Sequence, residues 1–113
     1  MKLPLNLKDK LELINEPTKE DFIPGEMYCV NVFWSFYQDL DQTYDLSVEI
    51  PAYTPFMFIG STNTTFYDFI LNVDKQAEIM EILVRGNCLA YYEFDMVVES
   101  LNSERSSLYK INL

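Results

Sequence analysis

Apolar and polar residues alternate with a period of two along much of the chain. Tyr28, Val30, Val32, Trp34 and Phe36 take every second place, with Cys29, Asn31 and Ser35 between them. Successive side chains of an extended chain point to opposite faces, so 27–37 reads as one long strand with its Trp34 face in the core. Phe33 and Tyr37 make the other face partly apolar, which predicts cover there as well. Leu46, Val48 and Ile50 alternate again. Beyond them, 55–60 reads as a short apolar strand, 61–65 as a polar turn and 66–73 as a strand. The segment 74–76 reads as a tight connection, 78–84 as a strand or short helix, 85–87 as a turn and 88–92 as a strand. Tyr109, Ile111 and Leu113 suggest a terminal strand.

Helical spacing shows in two places. Leu7, Leu11 and Ile14 predict a short amphipathic helix over 7–15, ending before Pro17, and Phe94, Val97, Val98 and Leu101 predict one over 94–102. Thr18 and Asp21 stand at capping-box spacing, with Asp in place of the usual Glu or Gln, and predict one helical turn. Pro24-Gly25 suits the centre of a type II turn, because glycine accepts the positive φ required there. The expected fold is therefore mainly β (α+β): a small SH3-like barrel or a sandwich of five to seven short strands, with one or two short helices. A single domain over 1–113 is expected, with 1–23 an N-terminal helical or extended segment and 24–113 the β-rich core.

Composition narrows the function. The chain carries 18 Asp and Glu against 8 Lys and Arg, a net charge of −10, and no histidine. Nucleic-acid binders show the opposite sign, because their affinity comes from neutralising phosphates, so no direct nucleic-acid binding is expected. The commonest general base and metal ligand is missing. No run approaches the length of a membrane span or of a signal peptide, so no membrane association and a cytoplasmic location are expected. Cys29 and Cys88 read as free thiols; without histidine they cannot complete a zinc site or a cysteine–histidine pair. Asp39, Asp41, Thr43 and Asp45 repeat oxygen side chains as a calcium loop does. Tyr44 and Ile50, however, occupy the places that an EF-hand gives to Gly and Glu. The three glycines stand in separate turns and build no phosphate loop. Asp68 is the one carboxylate with apolar neighbours, and strand alternation turns it outward. No enzyme, metal or cofactor is expected.

One asymmetry remains. Residues 20–74 contain no Lys or Arg, yet hold nine acids: Glu20, Asp21, Glu26, Asp39, Asp41, Asp45, Glu49, Asp68 and Asp74. A field of one sign favours a partner of the other. Spread evenly, the net charge amounts to roughly one per 650 Å², against about one per 100 Å² on duplex DNA, so mimicry of nucleic acid requires clustering. Asp39, Asp41, Asp45 and Glu49 are the leading candidates for a binding face, with Glu20, Asp21 and Glu26 next.

The segments Pro24-Gly25-Glu26-Met27-Tyr28-Cys29-Val30 and Pro55-Phe56-Met57-Phe58-Ile59-Gly60 resemble small proteins of tailed phages. In those, a Pro-Gly turn launches the first strand of an SH3-like barrel and an apolar strand ends in glycine near mid-chain. The resemblance covers 24–75. It implies phage origin and a binding or structural role, and it brings no catalytic residues. Two functions follow as expectations: an acidic module that occupies a basic, nucleic-acid-binding surface of a host protein, or a structural subunit of a virion or other assembly. The second would place homo-oligomer or assembly contacts on surface aromatics such as Phe33, Tyr37, Tyr53 and Tyr67.

Overall fold

A computed structural model describes residues 9–40, 47–68, 71–103 and 106–112, with side chains through Thr65 in the second segment. Eight strands form one antiparallel sheet curled into a half-barrel: β1 (Leu11–Ile14), β2 (Met27–Val30), β3 (Trp34–Tyr37), β4 (Ser47–Ile50), β5 (Phe56–Asp68), β6 (Val73–Val84), β7 (Cys88–Glu93) and β8 (Leu108–Ile111). Their order across the sheet is β1-β8-β2-β5-β6-β7-β3-β4. Helix α1 (Phe94–Ser103) and a 3-10 turn at Lys19–Asp21 lie against the inner face. Among the described residues the fold is mainly β with one α-helix, as the periodicity predicts, though with more strands than seven.

The stretch expected as a single strand over 27–37 is two strands at different places in the sheet. β2 lies between β8 and β5, whereas β3 lies between β7 and β4. Between them Asn31 accepts the Ser107 N–H through its side chain at 2.7 Å, so a side-chain bond stands in for the ladder and the chain turns to a new partner. Alternation survives the break. Tyr28, Val30 and Phe36 are buried in the core, and Val32 and Trp34 pack against it.

Three further expectations are corrected. Residues 11–14 form a strand rather than part of a helix, because pairing with β8 (Leu11 opposite Ile111, Ile14 opposite Leu108) outweighs the marginal stability of a helix so short. Residues 61–65 are no turn. They continue β5, which pairs with β6 without interruption from Gly60–Glu81 to Asp68–Val73, and 74–76 lie inside β6. The Ser, Thr and Asn residues read as a turn because they are polar, but this hairpin extends beyond the neighbouring strands, where polar β-branched residues suit a ribbon with water around it. The reversal instead comes near Asn72, whose φ is +57°.

A bulge at Phe58–Gly60 shifts the β5–β6 register, the kind of irregularity that bends a sheet. Phe22, Phe58 and Phe94 meet at 5.5–5.6 Å between ring centroids, and Phe22 touches Tyr28 at 5.2 Å. This cluster sits where the 3-10 turn, β2, β5 and α1 converge. The predicted turns hold: Glu26 N–H donates to Ile23 C=O at 3.0 Å around Gly25 (φ +88°), and Thr18 N–H donates to the Asp21 carboxylate at 2.8 Å. Both cysteines are free.

Candidate functional site

The structure places the described acidic candidates in two regions, one at the 3-10 turn and the start of β2, the other at β3 and the edge strand β4. Glu20 and Asp21 belong to the 3-10 turn, and Glu26 follows the Pro24-Gly25 turn into β2. Asp21 and Glu26 flank the Tyr28 hydroxyl. That buried group accepts the Ile23 N–H and donates to the Asp21 carbonyl, both at 2.8 Å, and its pKa is raised by burial first and by the two carboxylates as well. Glu26 also pairs with Lys110 at 3.9 Å. Asp39 and Glu49 lie in the other half, just past β3 and on the edge strand β4. β4 stands five strand steps from β2, roughly 24 Å along the sheet. Asp41 and Asp45 lie outside the described residues, as does the Asp68 side chain.

Around Asp39, the Tyr91 hydroxyl donates to Glu81 at 2.9 Å, and its pKa is raised by burial, by that bond and by the charges of Glu81 and Asp39. Glu49 is exposed, and its backbone carbonyl accepts the Arg85 guanidinium at 3.0 Å. Other basic residues are engaged in the same way. Lys19 reaches Glu78 at 2.6 Å and Asp95 at 2.7 Å, and Lys75 lies 3.6 Å from Glu93. Hydrogen bonds to Asp95 and Glu78 raise the Lys19 pKa, and the bonds from Lys19 and Ser61 lower that of Glu78. Cations held by local acids do little to offset the remaining negative field.

The sequence reading assigned most aromatics to the core and so missed a groove beside β3. It has a volume of about 290 Å³ and is lined by Trp34, Phe36 and Tyr92 on the sheet and by Met96, Val97 and Ser100 on α1. The rings form a ladder. Trp34 stacks on Phe36 at 5.4 Å and 17° and Tyr92 on Tyr37 at 5.4 Å and 20°, while Phe36 and Tyr92 are tilted at 34° with centroids 5.2 Å apart. The groove exists because α1 packs chiefly on β6, β7 and the 3-10 turn, leaving a gap toward β3. The signal was present in the sequence as Met96 and Ser100 one helical turn apart, but only the packing shows that they face an aromatic strand.

The outer face of the sheet carries a second missed feature. Leu11, Ile111, Met27, Met57, Leu83 and Leu89 stand directly opposite one another across six adjacent strands. Part of this row borders a groove of about 310 Å³ against Thr54 and Pro55. Phe33 is 57% exposed, whereas Tyr37 and Tyr53 are half-buried; the Tyr67 side chain lies outside the described residues.

Cys29 is fully buried, and burial pushes its thiol pKa up to about 11, which leaves it protonated and a poor nucleophile at neutral pH. Among the described residues no group of three or more His, Cys, Asp or Glu is placed to hold a metal ion, and no helix is long and apolar enough to cross a membrane. Comparison with protein-family models, curated proteins and solved structures finds no match to this chain.

Proposed function

We propose that this chain is a non-enzymatic acidic binding module that occupies a basic, nucleic-acid-binding surface of another protein, acting there as an inhibitor. The observation that carries the reading is the absence of Lys and Arg from residues 20–74. The pairing of Lys19, Lys75 and Lys110 with neighbouring acids supports it, because their charges are compensated locally. The division of the described acids between the 3-10 turn with β2 and the β3–β4 edge favours a broad contact over a single charged pocket. The resemblance to tailed-phage proteins makes a bacterial host protein the natural target.

The test is capture of partners from bacterial lysate on the immobilised chain at low and at high ionic strength, followed by competition of the captured protein for labelled duplex DNA. Salt-sensitive capture of a basic protein, and release of its DNA by the chain, are expected. Recovery of no protein with a nucleic-acid-binding surface, or binding indifferent to salt, would sink the proposal.

A second reading, a structural subunit of a virion or other assembly, draws on the apolar row of the outer sheet face, where Leu89 is exposed and Leu11, Met27, Met57 and Leu83 are partly so. Mass spectrometry of purified particles separates the two. A subunit is present in fixed stoichiometry, and an inhibitor of host machinery is absent.

A further inference from the structure

The hairpin of β5 and β6 presents a strand edge that the rest of the sheet does not use. We infer that the β5 edge over residues 60–67 pairs antiparallel with the same edge of a second copy of this chain, joining two hairpins into one four-stranded sheet. The inference depends on neither reading above.

Geometry exposes the edge. β2 pairs with β5 at Met27–Met57 and Tyr28–Phe56, and its approach to that strand ends with the bonds of Gly25 and Glu26 to Phe58. On the other side, β7 pairs with β6 from Val84 back to Ile79. Six pairs of the hairpin, from Asn63–Glu78 to Asp68–Val73, therefore have no neighbouring strand on either side among the described residues. At the usual rise of a strand they project roughly 20 Å. Ser61, Thr62, Asn63 and Thr65 are exposed and Thr64 is half-buried. The base is fixed, because the Glu78 carboxylate accepts Ser61 Oγ and Lys19 Nζ, each at 2.6 Å. A two-stranded hairpin alone is marginal in water, and further strands stabilise it.

Chemistry selects the edge. Proteins guard open edges with charges, lysine above all, or with proline. β1 carries Glu12, β4 carries Glu49 and runs into Pro51, and the β6 side of the hairpin carries Asp74, Lys75 and Glu78. Residues 60–67 contain no Asp, Glu, Lys, Arg or Pro, and Thr62, Thr64 and Thr65 favour an extended chain. This edge has open backbone and no device against pairing.

Charge and symmetry select the occupant. A second copy meets the edge with the same uncharged stretch. A register centred on Thr64 sets that residue against itself and Asn63 against Thr65 of the second copy, polar pairs of the kind that stabilise adjacent strands. Two identical antiparallel edges are related by a two-fold axis, and the outer edges of the joined sheet are then the charged β6 edges, which stops growth at the dimer. Each chain carries a net charge of −10, so two bodies in close contact would repel. Hairpins overlapping from opposite directions hold their bases roughly 25 Å apart, beyond the screening length of about 8 Å in physiological salt.

Sedimentation equilibrium of the full chain is expected to show monomer at about 1 μM and dimer at about 300 μM, because an edge contact is small beside a standard interface. Hydrogen exchange should slow over 60–67 at the higher concentration and stay unchanged at β1 and β4. Asn63→Lys with Thr65→Lys sets like charges opposite each other and should weaken the dimer about tenfold, although two added cations reduce the overall repulsion between chains. Asn63→Glu with Thr65→Glu should weaken it as well, and mixing the two variants should restore a mixed dimer. Circular dichroism checks that both variants fold.

Monomer throughout the concentration range would overturn the inference. So would a dimer left unchanged or strengthened by the lysines, or variants that fail to pair when mixed. Exchange protection on the outer apolar face, at β1 or at β4 in place of 60–67 would overturn it too, and that experiment on the unaltered chain decides the matter if either variant misfolds.

Discussion

Two aromatic regions lie on the inner face of the sheet, and they differ in what covers them. Phe22, Tyr28, Phe58 and Phe94 converge beneath α1 and the 3-10 turn, all buried, with tilted or edge-on ring contacts. Trp34, Phe36 and Tyr92 lie toward β3, with Trp34 stacked on Phe36 and Tyr92 tilted against it, and apart from Phe36 they are half-buried. Composition does not distinguish the regions. A ten-residue helix spans about 15 Å, less than the width of the eight-stranded inner face, so α1 can close one end of the half-barrel and not the other. The covered end serves stability. The open end leaves a groove between α1 and β3.

Mutation can test that division. Phe58→Ala, which removes a ring from the middle of the covered cluster, is expected to cost about 3–5 kcal/mol in denaturant unfolding. Trp34→Ala at the open end should cost less than about 2 kcal/mol, because water already reaches part of that ring. Comparable losses at both sites would break the comparison. Tyr28→Phe keeps the ring but strands the Ile23 N–H and the Asp21 carbonyl, for a loss of about 1–2 kcal/mol by the same measurement.

A smaller effect concerns the clamp that holds the 3-10 turn against β6 and α1. The Glu78 pKa is lowered from its ordinary 4.5 by bonds from Lys19 and Ser61. Its contribution is therefore present above pH 4.5 and lost as pH falls through the folded-state value. Lys19 is raised from 10.5, chiefly by Asp95, so its contribution is present below pH 10.5 and lost as pH rises through the folded-state value. Lys19→Met should flatten the pH profile of stability at both ends, at a cost below about 1 kcal/mol near neutral pH because the side chains are partly exposed. An unaltered profile would show that the clamp does not help to cover the aromatic cluster.

The smallest effect is a labelling contrast. Half-buried Cys88 should react with a thiol reagent in the native protein, and Cys29 only on unfolding. Because burial keeps the Cys29 proton on until about pH 11 instead of 9.0, stability should also decline across that interval, as the unfolded chain gives the proton up first.

The segments legible in the sequence were those whose pattern reflects a single local environment. The α1 spacing of Phe94, Val97 and Leu101, the Pro24-Gly25 turn, the Thr18–Asp21 cap and the alternation from Tyr28 to Phe36 each record which face is buried, and each recurs in the structure. Misreadings arose where long-range pairing overrode local preference. Leu11 and Ile14 are spaced for a helix yet are held by β8, nearly a hundred residues away. The polar run 61–65 is chemically a turn but is zipped into a ribbon by β6. For the candidate acidic residues, the sequence showed the charge asymmetry of 20–74 but not that Glu26 leads into β2 while Glu49 lies on the edge strand β4.

By itself, then, the sequence determined the β-rich class, the inward-facing residues and the sign of the field, because periodicity and net charge are additive along a chain. Tertiary structure alone decided that 27–37 splits between two places in the sheet, that α1 stops short of β3, and that Trp34, Phe36 and Tyr92 meet Met96 across a groove. Those are relations between segments. They depend on which strand pairs with which and on how far one helix reaches, and neither quantity is written in the order of residues within any single segment.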